Sequence, residues 1–200
     1  MKLSVAIATF NEEQNINACL ESVKKIGDEI VIVDGGSTDK TLEIVKTYEA
    51  RVIAADNPPI FHINKQKSFD ASTGDWILYL DADEVVSSSL AGEIEKVINM
   101  SNQEMADYQL HLAKRKLFQS HQQIIEQRDG QVGTKDGSYV AFFFPRLNFF
   151  LGKYLRFGGV YPDGVIRLFK KGKAYLPCKS VHEQMVVDGR VGWLEHDLMH

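Results

Sequence analysis

Two aspartates one residue apart, Asp81 and Asp83, follow the apolar stretch Trp76 to Leu80. Beyond a strand end the chain can turn both carboxylates toward one site, and that pairing suits an oxygen-ligated divalent cation that also holds phosphates. Asp34 follows a second largely apolar run, Glu29 to Val33. A carboxylate there can accept hydrogen bonds from a ribose or a base edge. Its alternative use, capping the next helix, is already served by Thr38 or Asp39. Lys67 supplies a cation able to pair with a phosphate.

These residues need a scaffold that brings them together, and the apolar pattern supplies one. Leu3 to Thr9 is short, β-branched and uncharged, as a buried strand is. Ile16, Leu20 and Val23 recur at helical spacing. Glu29 to Val33 is a second strand, and Leu42, Val45 and Tyr48 make the stripe of a second helix. Arg51 to Ala55 is a third strand, Lys65 to Ser72 a third helix ended by Gly74, and Trp76 to Leu80 a fourth strand. This β–α alternation predicts a parallel sheet with helices on both faces, which binds ligands beyond the carboxyl ends of its strands. Three polar clusters fall at such ends: Thr9 to Glu12, Asp34 to Asp39, and Asp81 to Glu84.

The second half is patterned differently. Ser88 to Asn99 reads as a helix. Asp107 to Lys114, Tyr139 to Phe144, Val165 to Lys170 and Arg190 to Leu194 read as strands. The Gln-rich segment between the first two of these strands has no assigned structure. Phe149 to Arg156 mixes aromatics with Lys153 and Arg156 and has two readings. It is either helical core, or an exposed amphipathic patch facing a membrane or a lipid-linked molecule.

Composition narrows the possibilities. A chain of 200 residues with 44% hydrophobic and 25% charged residues suits a single soluble domain with an α/β front half and a mixed rear half. A formal charge of −4 gives no general attraction to nucleic acid, so an anionic ligand must be held locally. Cys19 and Cys178 make neither a disulfide framework nor a zinc site. The N-terminus lacks the pattern of a signal peptide, and no apolar run approaches the roughly 18 residues of a membrane span. The expected location is the cytoplasm, with peripheral contact at the cytoplasmic face of the inner membrane.

Three stretches closely resemble glycosyltransferase family 2: Ala8-Thr9-Phe10-Asn11-Glu12-Glu13, Glu29 to Asp39 and Gly74 to Glu84. Phe150 to Gly159, Tyr161-Pro162-Asp163, Arg167-Leu168-Phe169 and Val181-His182-Glu183 look like the branch containing the bacterial lipopolysaccharide-core β-glucosyltransferases. The resemblance implies a GT-A fold, a Rossmann-like, mostly parallel sheet with a mixed rear half, and an inverting hexosyltransferase of the EC 2.4 class, in one domain whose nucleotide-sugar-binding half is 1–100 and acceptor-side half 101–200. It implies transfer of glucose from UDP-glucose to a glycan or lipid-linked acceptor such as lipopolysaccharide core, with Mg²⁺ or Mn²⁺. By position, Thr9, Asn11, Glu12 and Asp34 match the nucleoside pocket, and Lys67 a donor-contacting cation. Asp81 and Asp83 match the acidic motif for metal, ribose and diphosphate, and His200 a third metal ligand. Similar proteins continue beyond His200, so the chain is expected to be part of a longer one. Where the family carries a Glu-Asp base motif, this chain has His182-Glu183. Glu183 is favoured as the base, with Asp163 the other candidate.

The same residues admit two rival readings. Asp81-Ala82-Asp83-Glu84-Val85 also satisfies the D-x-D-x-[TV] pattern of haloacid-dehalogenase-type phosphatases, with Asp81 as nucleophile. That motif usually opens its domain, whereas here three β–α units precede it. The other rival is a nucleotide-sugar-binding module without catalysis.

Overall fold

The computed structural model describes residues 1–180 and 183–200. Its front half has the expected alternation: β1 (Leu3–Thr9), α1 (Ile16–Val23), β2 (Glu29–Asp34), α2 (Thr41–Val45) continued by a 3₁₀ turn, β3 (Arg51–Ala54), α3 (His62–Ala71) and β4 (Trp76–Leu80). The short β5 (Val85–Val86) leads into α4 (Ser88–Ile98), α5 (Asn102–Leu110) and α6 (Arg115–Asp129). The rear half is mainly strands. The long ones are β6 (Tyr139–Leu147) and β9 (Asp163–Lys170), with a hairpin of β7 (Phe149–Phe150) and β8 (Lys153–Tyr154) between them. The short strands β10 (Ala174–Tyr175), β11 (Val186–Val187), β12 (Arg190–Trp193) and β13 (Leu198–Met199) follow.

The main sheet runs β3-β2-β1-β4-β9-β6-β13-β5, with β12 also on β6. β1, β2, β3 and β4 pair in parallel, whereas β9 is antiparallel to both β4 and β6. Period-2 alternation divides the core between the two faces. Leu3, Val5 and Ile7 of β1 and Trp76, Leu78 and Leu80 of β4 join α1 and α4 on one side. Ala6, Ile77 and Tyr79 meet Phe69 of α3 and Phe118 and Ile125 of α6 on the other. A strand covered on both faces must be nearly all apolar, which is why β1 and β4 were legible as uncharged runs and β2 as an apolar run with charge only at its ends. This is the α/β architecture of GT-A type that the sequence predicts.

The rear half corrects two expectations. Asp107 to Lys114 is not a strand: Leu110 ends α5, and α6 begins at Arg115. The capping box of Ser101 and Glu104 was the helix signal present in the sequence. Phe149 to Arg156 is not helical core but the exposed β7–β8 hairpin and the loop after it. Among the described residues no helix is long and apolar enough to cross a membrane.

Candidate functional site

Parallel pairing sets Thr9 beside Asp34 and Ile7 beside Leu80, so the polar loops after β1, β2 and β4 emerge along one sheet edge. A cleft of about 320 Å³ opens there, lined by residues that include Thr9, Glu12, Asn64, Lys65, Asp81, Asp83 and His200. Thr9 Oγ1 and Asn64 Oδ1 are buried without a hydrogen-bond partner among the described residues. Buried polar atoms are normally paired, and leaving one unpaired costs about 1–3 kcal/mol. Two such atoms on one cleft suit a ligand rich in hydrogen-bonding groups.

The loops behind the cleft are knitted by their own side chains. Asp34 is 2% exposed, and its Oδ2 accepts N–H bonds from Gly36 and Ser37, both at 2.9 Å. The Ser37 hydroxyl donates to Oδ1 at 2.6 Å. Gly36 can turn the chain back in this way because its φ is +86°. Asn11 sits at φ +56°, and its Oδ1 accepts the Thr38 N–H at 2.8 Å, tying the β1 loop to the β2 loop. Glu12 reaches the cleft itself.

Sequence reasoning selected Lys67, but the structure brings Lys65 to the cleft. Lys67 is exposed. Two residues along a helix turn the side chain by about 200°, so only one of the pair can face the sheet. Lys65 Nζ forms an ion pair with Asp81 Oδ1. Burial pulls its ammonium below the ordinary lysine range, with Asp81 working in the opposite direction.

Asp81 is the centre of a buried ionic cluster. Its second oxygen accepts from Arg167 Nη2 at 2.6 Å, and Arg167 also reaches Glu84 at 2.6 Å. Glu84 is fully buried and Arg167 is 3% exposed. Burial opposes ionisation of Asp81, but Arg167 and Lys65 hold its carboxyl well below the usual range. Arg167 was absent from the sequence-derived candidates. Its signal was an arginine inside the apolar strand β9, because a buried guanidinium requires anionic partners. Removing one partner from such a cluster leaves uncompensated charge. Arg167→Met should therefore lower the unfolding free energy by about 3–5 kcal/mol in a urea titration. An unchanged midpoint would show that the cluster contributes nothing to stability.

Asp83 is better placed to meet a ligand, with its side chain 47% exposed. β13 pairs antiparallel with β5, Met199 opposite Val85, and this register sets the next residue, His200, against the Asp83 loop. His200 Nε2 lies 3.3 Å from Asp83 Oδ2. The bond to His200 lowers the Asp83 pKa and raises that of His200. On its other side His200 Nδ1 is 2.8 Å from Asn148 Oδ1, and Asn148 Nδ2 donates to Asp163 at 2.9 Å. Arg146 Nη2 donates to the same Asp163 oxygen at 2.6 Å. Asp163 is thus joined to the Asp83–His200 pair through one side chain.

Glu183 stands apart from that network. Its Oε1 is 3.4 Å from His62 Nδ1 at the start of α3, and its Oε2 accepts the Lys179 N–H at 3.0 Å. Burial would raise its pKa, but the N–H of Lys179 and the His62 ring outweigh that and lower it. Glu183 also lines a second cleft, of about 440 Å³, with Asp129–Gly133 and Gln184–Val187. His182 lies outside the described residues.

The metal implied by the acidic motif can be tested against these donors. Among the described residues no three His, Cys, Asp or Glu side chains group closely enough to hold an ion by themselves. Both oxygens of Asp81 already have cationic partners, whereas Asp83 and His200 offer adjacent oxygen and nitrogen donors. This pair fits a Mg²⁺- or Mn²⁺-type site that takes its remaining ligands from phosphate and water.

A family model described as glycosyl transferase family 2 matches residues 4–171. An uncharacterized glycosyltransferase of Rickettsia typhi is 44% identical over 105 residues, covering 52% of this chain and 35% of that protein. The prophage-derived glycosyltransferase SunS of Bacillus subtilis is 33% identical over 99 residues, covering 48% of this chain and 23% of its own. The match thus spans about a third or less of these relatives' length. A glucosyl-3-phosphoglycerate synthase of Mycobacterium tuberculosis, solved with Mn²⁺ and UDP-glucose, is 26% identical over 42% of this chain and 34% of that one. Its TM-score is 0.38, too low to bear on fold or site.

Proposed function

The chain belongs to glycosyl transferase family 2, and on that premise we propose that it transfers a sugar, with inversion, from a nucleotide-sugar donor to an acceptor hydroxyl. The observation that carries this reading is the cleft at the carboxyl ends of the parallel strands, where Thr9, Asn64, Lys65, Asp83 and His200 converge. Thr9 and Asn64 offer unmet hydrogen-bonding capacity to a nucleoside, with Glu12 beside them. Asp34 and Asn11 hold the loops that frame that pocket.

Asp83 and His200 would hold Mg²⁺ or Mn²⁺, which when bound neutralises charge developing on a diphosphate leaving group. Lys65 adds a cation at the same cleft, and Arg167 keeps Asp81 ionised and fixed in place. Glu183 takes the proton of the acceptor hydroxyl, and Asp163 orients the Asn148–His200 pair. The donor we favour is UDP-glucose. The acceptor we favour is a glycan or lipid-linked sugar such as lipopolysaccharide core, met in the cytoplasm, in keeping with the motifs of residues 150–169.

A phosphatase using Asp81 as nucleophile is disfavoured, because Lys65 and Arg167 engage both of its oxygens. A binding module without catalysis is distinguished by turnover.

Calorimetric titration with UDP and UDP-glucose, with and without Mn²⁺, tests the donor site. Lys65→Met should weaken UDP about ten- to a hundredfold, the cost of losing a hydrogen bond to a charged group. Lys67→Met should leave the Kd unchanged. Equal losses in the two variants, or no UDP binding by the parent chain, would overturn the assignment.

A further inference from the structure

Beyond Asn148 the chain leaves the main sheet as the β7–β8 hairpin, with Phe149 opposite Tyr154 and Phe150 opposite Lys153. Leu151 and Gly152 form the tip, at φ +47° and +80°. Phe150 is 61% exposed, Leu151 86%, and Phe157 in the loop that follows 88%. Single exposed apolar residues are ordinary, but a contiguous group of this kind marks an interaction surface.

Cations surround it. Lys153 and Arg156 are exposed within the same segment. Lys114 Nζ donates to Tyr161 Oη at 2.9 Å, and both Lys114 and Arg156 lie 3.6 Å from Asp197. These contacts tie the start of α6 to the segment's trailing end and bring exposed Arg115 and Lys116 into the neighbourhood. Aromatic and leucine side chains flanked by Lys and Arg match the interfacial zone of an anionic bilayer, where the apolar tip enters the acyl boundary and the cations meet lipid phosphates. A second copy of the chain fits less well, because a two-fold contact on this patch would set the same cations against one another.

We propose that the β7–β8 hairpin, Phe157 and the basic residues around them form a membrane-docking surface for an anionic lipid bilayer. The surface adjoins the cleft directly, since the Phe149 N–H donates to the His200 carbonyl at 2.6 Å and Asn148 holds the His200 ring. A docked bilayer therefore lies beside the cleft. Its use in reaching a lipid-linked acceptor rests on the function proposed above, whereas the docking itself does not.

Cosedimentation with phosphatidylglycerol–phosphatidylcholine vesicles, against phosphatidylcholine alone, tests the proposal. The chain should partition onto the anionic vesicles and little onto the neutral ones. Leu151→Asp should lower the partition coefficient about tenfold or more, since it removes the exposed leucine that would enter the bilayer and adds repulsion from anionic lipid. Lys153→Gln should lower it about fivefold, equivalent to about 1 kcal/mol, with the wild-type binding weakening as salt rises. Both positions are exposed, and circular dichroism and UDP affinity should be unchanged in the variants. Failure to bind anionic vesicles, or equal binding by wild type and Leu151→Asp, overturns the proposal. So does concentration-dependent self-association that Leu151→Asp abolishes in the absence of vesicle binding. None of these outcomes changes UDP affinity, so a failed docking surface and a failed donor site are told apart.

Discussion

Asp83→Ala is expected to abolish sugar transfer and to weaken nucleoside-diphosphate binding in the presence of Mn²⁺ while changing it little in EDTA. The expectation follows from how the two aspartates of the motif are used. Asp81 is held between Lys65 and Arg167 and is needed to compensate them. Asp83 faces the cleft with its side chain half exposed and has His200 as a neighbouring donor. Truncating it removes the oxygen donor of the pair and leaves an imidazole alone. The ionic cluster around Asp81 is untouched, so stability should change little, and this separates a binding defect from unfolding. Calorimetry with and without metal, together with turnover of UDP-glucose, measures both effects. If EDTA and Asp83→Ala each leave turnover intact, the metal-assisted reading is wrong.

The other large effect concerns the base. Glu183→Gln should cut kcat by about 10²–10⁴-fold with donor affinity nearly intact, because glutamine matches the shape but cannot take a proton. Glu183 is anchored by the Lys179 N–H and His62, and it borders a second cleft in the rear half of the chain. Asp163→Asn is the matched control. The contacts of Asp163 with Arg146 and Asn148 fall on one oxygen, so asparagine can keep them, and its effect should be smaller. If Asp163→Asn stops turnover and Glu183→Gln does not, the base is Asp163 and Glu183 serves to hold the chain against α3. If neither variant slows transfer, a carboxylate elsewhere acts. If no transfer occurs in the parent chain despite donor binding, the reading as a binding module gains.

Much of the front half follows from local pattern alone. The apolar runs at 3–9, 29–33 and 76–80 became β1, β2 and β4 almost residue for residue, because the interior of a strand buried on both faces leaves no room for charge, and β2 carries it only at its ends, Glu29 and Asp34. Their polar ends were predictable as one edge, since parallel strands joined by helices all point the same way. The pairing of Asp81 with Asp83 was visible for the same reason, being a matter of two residues at a strand end. Tertiary structure decided the division of labour within that pair. Arg167 lies 86 residues from Asp81 and becomes its partner only because β9 inserts beside β4, an order that no local period encodes. The same holds for Lys65 over Lys67, where the choice depends on how α3 is rotated against the sheet. It holds too for His200, set beside Asp83 by the pairing of β13 with β5. Segments 107–114 and 149–156 were misread or left open because short apolar runs carry too few periods to tell helix from strand. Periodicity measures which residues share a face, and so it determined the elements and the edge where they end. Charge pairing depends on distances between elements remote in sequence, and only the packed sheet sets those.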